Sequence, residues 1–281
     1  MRYWLLVFLA LSAGAVRGDI IVRPRTTGRP SDLVAALLGK ASAAREVELS
    51  GSSSADAALV PHEAHAGDVV YAIGPDAVVA ARSIDKKSRI VALNVPNPDR
   101  LGTNATYISA YPSLDKAFEI LSAKLFVKKA GVLYSPSQNH EMALKFAAQL
   151  KEHNIQPQPI PVTAGNAAAS LRRAISGLSV VILLIDPLVF DAAAMRDVLA
   201  VTSAAKIPTV GFLTDLTSIG VTVALVVPAG NLADMAVRSA AGAAPGSRNV
   251  VEADAIEIVV SKQSAQEVGL DPKAIGATTV R

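Results

Sequence analysis

Polar side chains follow three apolar segments in the second half of the chain, each at the point where the segment reads as the end of a buried strand. Tyr134 and Ser135 follow the first, Asp186 the second, and Thr214 and Asp215 the third. The carboxyl ends of parallel strands meet at one edge of an open sheet, and ligands bind in the crevice outside that edge. The spacing therefore predicts a cleft that holds a small molecule.

The first half of the chain supplies a second set of polar positions. Gly74 and Pro75 stand where an apolar strand passes into a helix, so backbone amides there could hold an anion. Asn94, also in the first half of the chain, could donate or accept a hydrogen bond to the ligand. Ser135 and Ser137, in the second half, could donate one. An ammonium group would need a carboxylate such as Asp186 or Asp215, and the ring of Tyr134 could lie against the ligand. The candidate ligand-binding residues are Gly74, Pro75, Asn94, Tyr134, Ser135, Ser137, Asp186, Thr214 and Asp215.

Each of these positions also has an ordinary structural interpretation. Ser137 can be the N-cap of the helix that follows it, and Asp215 can cap the next segment. Asp186 precedes a proline and can simply begin a helix, while Pro75 is common at a first helical position. Both interpretations remain open from the sequence.

Motifs for catalysis and for metal binding are weak. His62, Glu63 and His65 place two imidazoles near a carboxylate, but the spacing is not that of a zinc protease and no third ligand is evident. A solvated polar turn is the favoured interpretation. The chain has no nucleophile elbow, P-loop or dinucleotide fingerprint. We therefore expect a protein that is not an enzyme, with no catalytic residues, cofactor or metal; a hydrolase with an irregular pocket is the weaker alternative.

Hydrophobic periodicity predicts α/β organisation with parallel sheets. Strands are expected at 19–22, 68–73 and 90–93, with helices at 31–44 and 75–82, followed by a linking strand at 105–109 and a helix at 113–127. A more regular series follows, with strands at 130–134, 156–162, 179–185 and 208–213 and helices at 137–153, 166–176 and 188–204. Beyond it we expect a strand at 221–227, a helix at 231–241 and a last strand at 256–260.

The first 18 residues have the layout of a secretory signal peptide. Arg2 precedes an apolar run over 4–11, and small residues follow at 13–15. A membrane anchor is the alternative, but the run is much shorter than the roughly 20 apolar residues of a spanning helix. The chain has no cysteine, so it lacks the attachment point of a lipoprotein. We expect a free periplasmic protein that is not embedded in the membrane once mature.

The charge balance does not favour nucleic acid as a partner. The chain has 27 basic and 24 acidic side chains, and removal of Arg2 and Arg17 leaves 25 basic residues against 24 acidic ones. A nearly neutral protein gains little from the electrostatic attraction that dominates nucleic-acid binding.

Several segments resemble the ABC transporter substrate-binding family related to tryptophan- and tyrosine-binding proteins. The similarity extends over about 68–281 and is carried by 68–74 (DVVYAIG), 94–102 (NVPNPDRLG), 131–137 (GVLYSPS), 183–187 (LLIDP), 205–210 (AKIPTV) and 259–270 (VVSKQSAQEVGL). The resemblance implies a type I periplasmic-binding fold, with two Rossmann-like lobes and a central cleft. It also implies capture of a small organic ligand, for which an amino acid is one candidate, and an ABC permease as partner.

The resemblance suggests a division of the chain into segments. After the signal peptide at 1–18, the N-terminal lobe would span 19–109, with 229–250 as a segment that can return to it. The C-terminal lobe would span 110–228, and 251–281 would form a closing strand and tail. The first lobe is expected to be abbreviated, because 51–67 consists mostly of Ser, Ala and His.

A second functional hypothesis belongs to a different class. The short first lobe and the unusual segment after Asp215 would also suit a periplasmic sensory or interaction protein that keeps the binding-protein fold without a transport role. The sequence leaves both hypotheses open.

Overall fold

A computed structural model describes residues 18–25, 29–41, 44–84 and 86–281. Apart from Gly18, the signal peptide predicted at 1–18 lies outside these residues. The strands are β1 (Ile20–Arg23), β2 (Arg45–Glu48), β3 (Val69–Ile73), β4 (Arg89–Val95), β5 (Thr106–Pro112), β6 (Lys129–Tyr134), β7 (Gln156–Pro161), β8 (Val180–Leu183), β9 (Thr209–Gly211), β10 (Val223–Val226), β11 (Asn249–Ala253), β12 (Glu257–Val260) and β13 (Thr279–Val280). The α-helices are α1 (Arg29–Leu38), α2 (Ser53–Glu63), α3 (Pro75–Ala80), α4 (Leu114–Ala123), α5 (Pro136–Glu152), α6 (Ala167–Ala174), α7 (Ala192–Ala204), α8 (Ala229–Gly242) and α9 (Lys262–Val268).

The first lobe is built on a six-stranded sheet in the order β11-β5-β4-β3-β1-β2. Its neighbouring strands all pair in parallel. Successive residues of a strand point to opposite faces, so Ile20 joins the core beneath α2 and α3, whereas Ile21 joins the core beneath α1 and α8. Both faces of the sheet are thus covered by helices, which explains the nearly continuous apolar sequence of β3.

The second lobe is built on a seven-stranded sheet in the order β13-β12-β10-β9-β8-β6-β7. The strands from β10 to β7 are parallel, and β12 runs antiparallel to β10. One face packs against α4 and α5 through Phe118 and Phe146. The other packs against α6 and α7 through Leu171 and Val198. The predicted architecture of two parallel α/β lobes is confirmed.

Three connections join the two sheets. The chain passes from β5 to α4, from β10 to α8, and from β11 to β12. At the first crossing, Tyr111 of β5 packs edge-on against Phe146 and Phe212, with ring centroids 5.3 and 5.1 Å apart. A residue of the first sheet therefore forms part of the core of the second lobe.

The abbreviation expected for the first lobe is not observed. Strand β2 and helix α2 complete the alternation of strands and helices between β1 and β3. Val47 is the single buried residue of β2, which lies at the sheet edge, and α2 buries only Asp56 and Val60 and contains a proline. Such short apolar faces leave no clear periodicity in the sequence.

The end of the chain also differs from the prediction. The strand expected last is followed by α9 and β13, and β11 precedes it at the edge of the first sheet. Strand β11 was not predicted, because its residues are mostly exposed. The strand expected as a link at 105–109 is longer, and as β5 it pairs on both sides within the first sheet.

We predict that Phe146→Ala lowers the free energy of unfolding by about 3 to 5 kcal/mol, because it empties a fully buried site between three aromatic rings. Urea unfolding followed by circular dichroism measures the change. The matched control is Phe126→Ala, since Phe126 is 73% exposed, and its effect should stay below about 1 kcal/mol. Equal losses in both variants would contradict the importance of this aromatic core.

Candidate functional site

The carboxyl ends of β6 and β8 meet at a buried carboxylate. Asp186 follows β8 and is 1% exposed. Its Oδ2 accepts hydrogen bonds from the backbone N–H of Ser135 at 2.7 Å and from Nδ2 of Asn139 at 2.9 Å, and its Oδ1 accepts from the backbone N–H of Leu188 at 2.9 Å. Three N–H donors thus satisfy a polar group that would be costly to bury without hydrogen-bond partners.

Asn139 connects this carboxylate to the start of α5. The helix begins with Ser135 as its N-cap and Pro136 at its first position. Asn139 departs from helical geometry, with φ −133° and ψ 26°, and its Nδ2 also donates to the backbone oxygen of Ile185 at 3.2 Å. Asn139 was not among the predicted site residues, because an Asn inside a helical pattern carries no distinctive sequence signal.

The hydrogen bonds of Asp186 belong to the fold itself. Both carboxylate oxygens face N–H groups of the same chain, and the side chain is nearly closed off from solvent. Of its two sequence interpretations, the structural one has direct contacts in its favour. Its contact with a ligand amine stays a prediction.

The other predicted residues of the second lobe occupy different environments. Tyr134 is 8% exposed and belongs to the hydrophobic core. Ser137 is exposed, and its hydroxyl lies 3.0 Å from that of Ser135; Ser135, not Ser137, is the N-cap. Thr214 and Asp215 begin a 3-10 helix (Thr214–Ile219) after β9, where Asp215 is exposed.

In the first lobe, Gly74 and Pro75 lie at the strand-to-helix turn as predicted from the sequence. Gly74 has φ 86°, a conformation that glycine adopts without strain, and its N–H donates to the backbone oxygen of Leu93 at 2.8 Å. Pro75 has no N–H, so neither residue has a free amide for an anion. Asn94 has φ 57° at an irregularity in the pairing of β4 with β5, a left-handed conformation that Asn tolerates better than most residues.

A cavity of about 300 Å³ lies where the two lobes face each other. Residues from both lobes line it: Pro75, Val95, Pro96, Asn97, Arg100, Leu101, Gln138, Asn139, Ile185 and Pro187. Pro75 is the one predicted site residue in this set, although several others are immediate neighbours of predicted residues. The turn at 94–102 contributes half of the lining, and its polar residues were overlooked.

Polar contacts cross between the lobes at this cavity. Nδ2 of Asn97 donates to the backbone oxygen of Gln138 at 3.2 Å, and Nη1 of Arg100 donates to the same oxygen at 3.0 Å. Arg100 also donates to the side-chain oxygen of Gln138. The turn after β4 is therefore held against the first turns of α5.

Tyr111 links the first connection between the lobes to the cavity wall. Its hydroxyl oxygen accepts a hydrogen bond from the backbone N–H of Ile185 at 3.0 Å. Complete burial raises the pKa of Tyr111 well above its ordinary value, so the phenol stays neutral at physiological pH. This neutral contact positions Ile185 at the edge of the cavity.

A larger cavity, of about 420 Å³, lies elsewhere on the second lobe. Its lining includes Thr209 and Thr222, which stand at the amino ends of β9 and β10. It therefore opens at the edge of the sheet opposite to Asp186. Unlike this cavity, the 300 Å³ cavity has walls from described residues of both lobes, and we take it as the candidate site.

The residues considered for a metal site contact other charged groups or one another: Nδ1 of His62 lies 3.4 Å from Oε1 of Glu63. Glu63 forms an ion pair with Arg45 at 2.8 Å, and Nδ1 of His65 lies 3.6 Å from Oδ2 of Asp68. Arg45 and His62 lower the pKa of Glu63, chiefly through the hydrogen bond from Arg45. Across the described ranges, no group of three His, Asp or Glu side chains is arranged to hold a metal ion.

Comparison with known proteins identifies the family. The family model for ABC transporter substrate-binding proteins matches residues 64–274. The chain belongs to this family, as its sequence motifs predicted. The family and the fold are those of substrate-binding proteins, which are not enzymes. A search of curated protein sequences found no match.

Solved structures share the fold. A substrate-binding protein with adhesive properties from Clostridium difficile, in a ligand-free open form, has a TM-score of 0.68 at 18% identity, and the alignment covers 94% of this chain and 99% of that one. An ABC domain in complex with L-Trp from Streptococcus pneumonia has a TM-score of 0.65 at 19% identity, with 94% and 100% coverage. A conserved domain protein from Vibrio cholerae has a TM-score of 0.65 at 21% identity, again with 94% and 100% coverage. In the part of this chain that the structure describes, no helix combines the length and apolarity needed to span a bilayer.

We predict that Asp186→Asn destabilises the protein by about 1 to 3 kcal/mol, because the new amide group cannot accept hydrogen bonds on both sides of the former carboxylate. Thermal and urea unfolding measure the loss. Asp191→Asn is the matched control, since Asp191 caps α7 from an exposed position and Asn caps helices about equally well. If Asp186→Asn leaves the free energy of unfolding unchanged, the hydrogen bonds of Asp186 contribute nothing that the amide cannot replace, which would contradict this prediction.

Proposed function

We propose that this protein is a periplasmic solute-binding protein that captures a small organic ligand between its lobes and delivers it to an ABC-type importer. The observation that carries the proposal is the interlobe cavity, with walls from both lobes and hydrogen bonds from Asn97 and Arg100 to Gln138 across it. Membership of the substrate-binding family supports the same function. The layout of 1–18 as a signal peptide supports export.

Ligand capture would use hinge motion of the lobes. Connections at three points permit rotation of one lobe against the other, as in other two-lobed binding proteins. The contacts of Gln138 lie at the place where the lobes would separate, and they are few enough to be replaced by a ligand. Tyr111, buried at one connection, would remain fixed during the motion.

The cavity limits what the ligand can be. About 300 Å³ corresponds to the smaller end of small-molecule sites, and an amino acid is a suitable size. One structural relative is a complex with L-Trp, which favours testing amino acids first. The lining residues include no aromatic side chain, so an apolar ligand would pack against proline and aliphatic groups.

We expect one chemical class in a thermal-shift screen to raise the melting temperature of residues 19–281 by several degrees, because a ligand that binds only the folded state stabilises it by mass action. The screen should contain amino acids, amino-acid derivatives, small peptides, sugars and purines. A protein that melts cooperatively yet shifts with none of these classes would contradict solute capture.

Closure of the lobes gives a separate prediction. The chain has no cysteine, so Ala55→Cys in α2 and Ala192→Cys at the start of α7, both at exposed positions on different lobes, would accept one fluorophore each. A compound that stabilises the protein should change energy transfer between the dyes, and an inactive analogue should not. Stabilisation without any change in energy transfer would reject hinge closure while leaving ligand binding intact.

A further inference from the structure

We infer that the cleft selects its ligand by an anionic group, a carboxylate bound by Arg100, and that it does not require an ammonium group. This inference rests on the proposed solute-binding function and specifies the ligand class of the same site. The ligand would be a small carboxylic acid with an apolar body, with or without an amino group.

Arg100 is the one ionisable side chain in the cavity lining. Its guanidinium donates to the backbone and side-chain oxygens of Gln138, which are neutral acceptors. Among the described residues it forms no ion pair, and the adjacent carboxylate of Asp99 is paired with Arg248. Within the described part of the chain, no carboxylate neutralises this guanidinium, although a guanidinium binds most strongly to a carboxylate or phosphate in a two-pronged arrangement.

The nearest buried carboxylate does not offset this preference. Asp186 is absent from the cavity lining although its neighbours Ile185 and Pro187 are present. Its oxygens are occupied by the N–H groups of Ser135, Asn139 and Leu188. An ammonium group in the cavity would therefore meet no free carboxylate among the lining residues, and it would gain less from binding than an anion.

Apart from Arg100 and the amide side chains of Asn97, Gln138 and Asn139, the wall is apolar. Six lining residues are aliphatic or proline, contributed by both lobes: Pro75, Val95, Pro96, Leu101, Ile185 and Pro187. A sugar has hydroxyl groups on every side, and the hydroxyls that face these apolar side chains would lose their hydrogen bonds to water. The desolvation cost of those hydroxyls disfavours sugars as ligands. The body of the ligand should accordingly be hydrocarbon, with its carboxylate replacing Gln138 as the partner of Arg100.

The test uses isothermal titration calorimetry with two matched series of probes. The first is L-leucine, 4-methylpentanoate and L-leucinamide; the second is L-tryptophan, indole-3-propionate and L-tryptophanamide. We expect that in the series that binds, the acid without an amino group retains affinity within about 10-fold of the amino acid, whereas the amide, which keeps the amine and loses the carboxylate, binds at least about 30-fold more weakly.

Substitution of Arg100 tests the same claim from the side of the protein. Arg100→Gln should weaken the affinity for the acid by at least about 30-fold. Arg100→Lys keeps the charge without the planar guanidinium, so its affinity should lie between those of Arg100→Gln and the unmodified protein. Arg172→Gln, on the exposed surface of α6, is the matched control and should bind as the unmodified protein does. Circular dichroism melting of each variant verifies that it folds.

The outcomes separate this inference from the function on which it rests. Equal binding of amide and acid, or unchanged affinity in Arg100→Gln, would overturn anion selection while leaving solute capture in place. If a sugar binds tightly and its affinity is unchanged in Arg100→Gln, anion selection is likewise overturned and solute capture stays in place. Failure of every compound in the broader thermal-shift screen would instead remove the solute-binding function and this inference together.

Discussion

The buried carboxylate of Asp186 is the constraint on which the geometry of the cleft depends. It follows β8, yet its hydrogen bonds reach the end of β6 through Ser135 and the first turns of α5 through Asn139. These contacts place two strand ends and a helix start in one arrangement. Gln138 lies between the N-cap and Asn139, so its position relative to the other lobe is fixed by the same network. A carboxyl group this far from solvent is tolerated because three N–H donors satisfy its oxygens.

The first lobe meets this arrangement chiefly with the turn after β4, which contains a short 3-10 helix (Pro98–Arg100). After β4, Asn94 adopts a left-handed conformation, and the chain then runs through Pro96, Asn97 and Pro98 to Arg100. Prolines restrict the backbone of that turn, and Asn97 and Arg100 reach across to a single residue, Gln138. One side of the cleft is therefore ordered by the hydrogen bonds of buried Asp186, and the other presents the exposed guanidinium of Arg100, which donates to neutral acceptors.

Much of the fold could be predicted from the sequence, because both sheets bury their central strands on two faces and those strands are continuous apolar runs. Strands β2 and β11 escaped prediction since they lie at sheet edges and expose most of their residues. The site was harder to predict. The sequence directed attention to the right strand ends, but it could not show that the amide of Gly74 already bonds Leu93, or that Tyr134 packs in the core. Arg100 and Gln138 gain their meaning only from contacts between distant segments.

The central claim is that ligand binds between the lobes at the carboxyl edges of both sheets. The most direct measurement is a crystal structure of the protein grown with a compound that stabilises it. We predict ligand density between Pro75 and Pro187, in contact with the turn that holds Arg100 and with the start of α5. Density confined to the cavity near Thr209 and Thr222, at the opposite edge of the second sheet, would contradict the account.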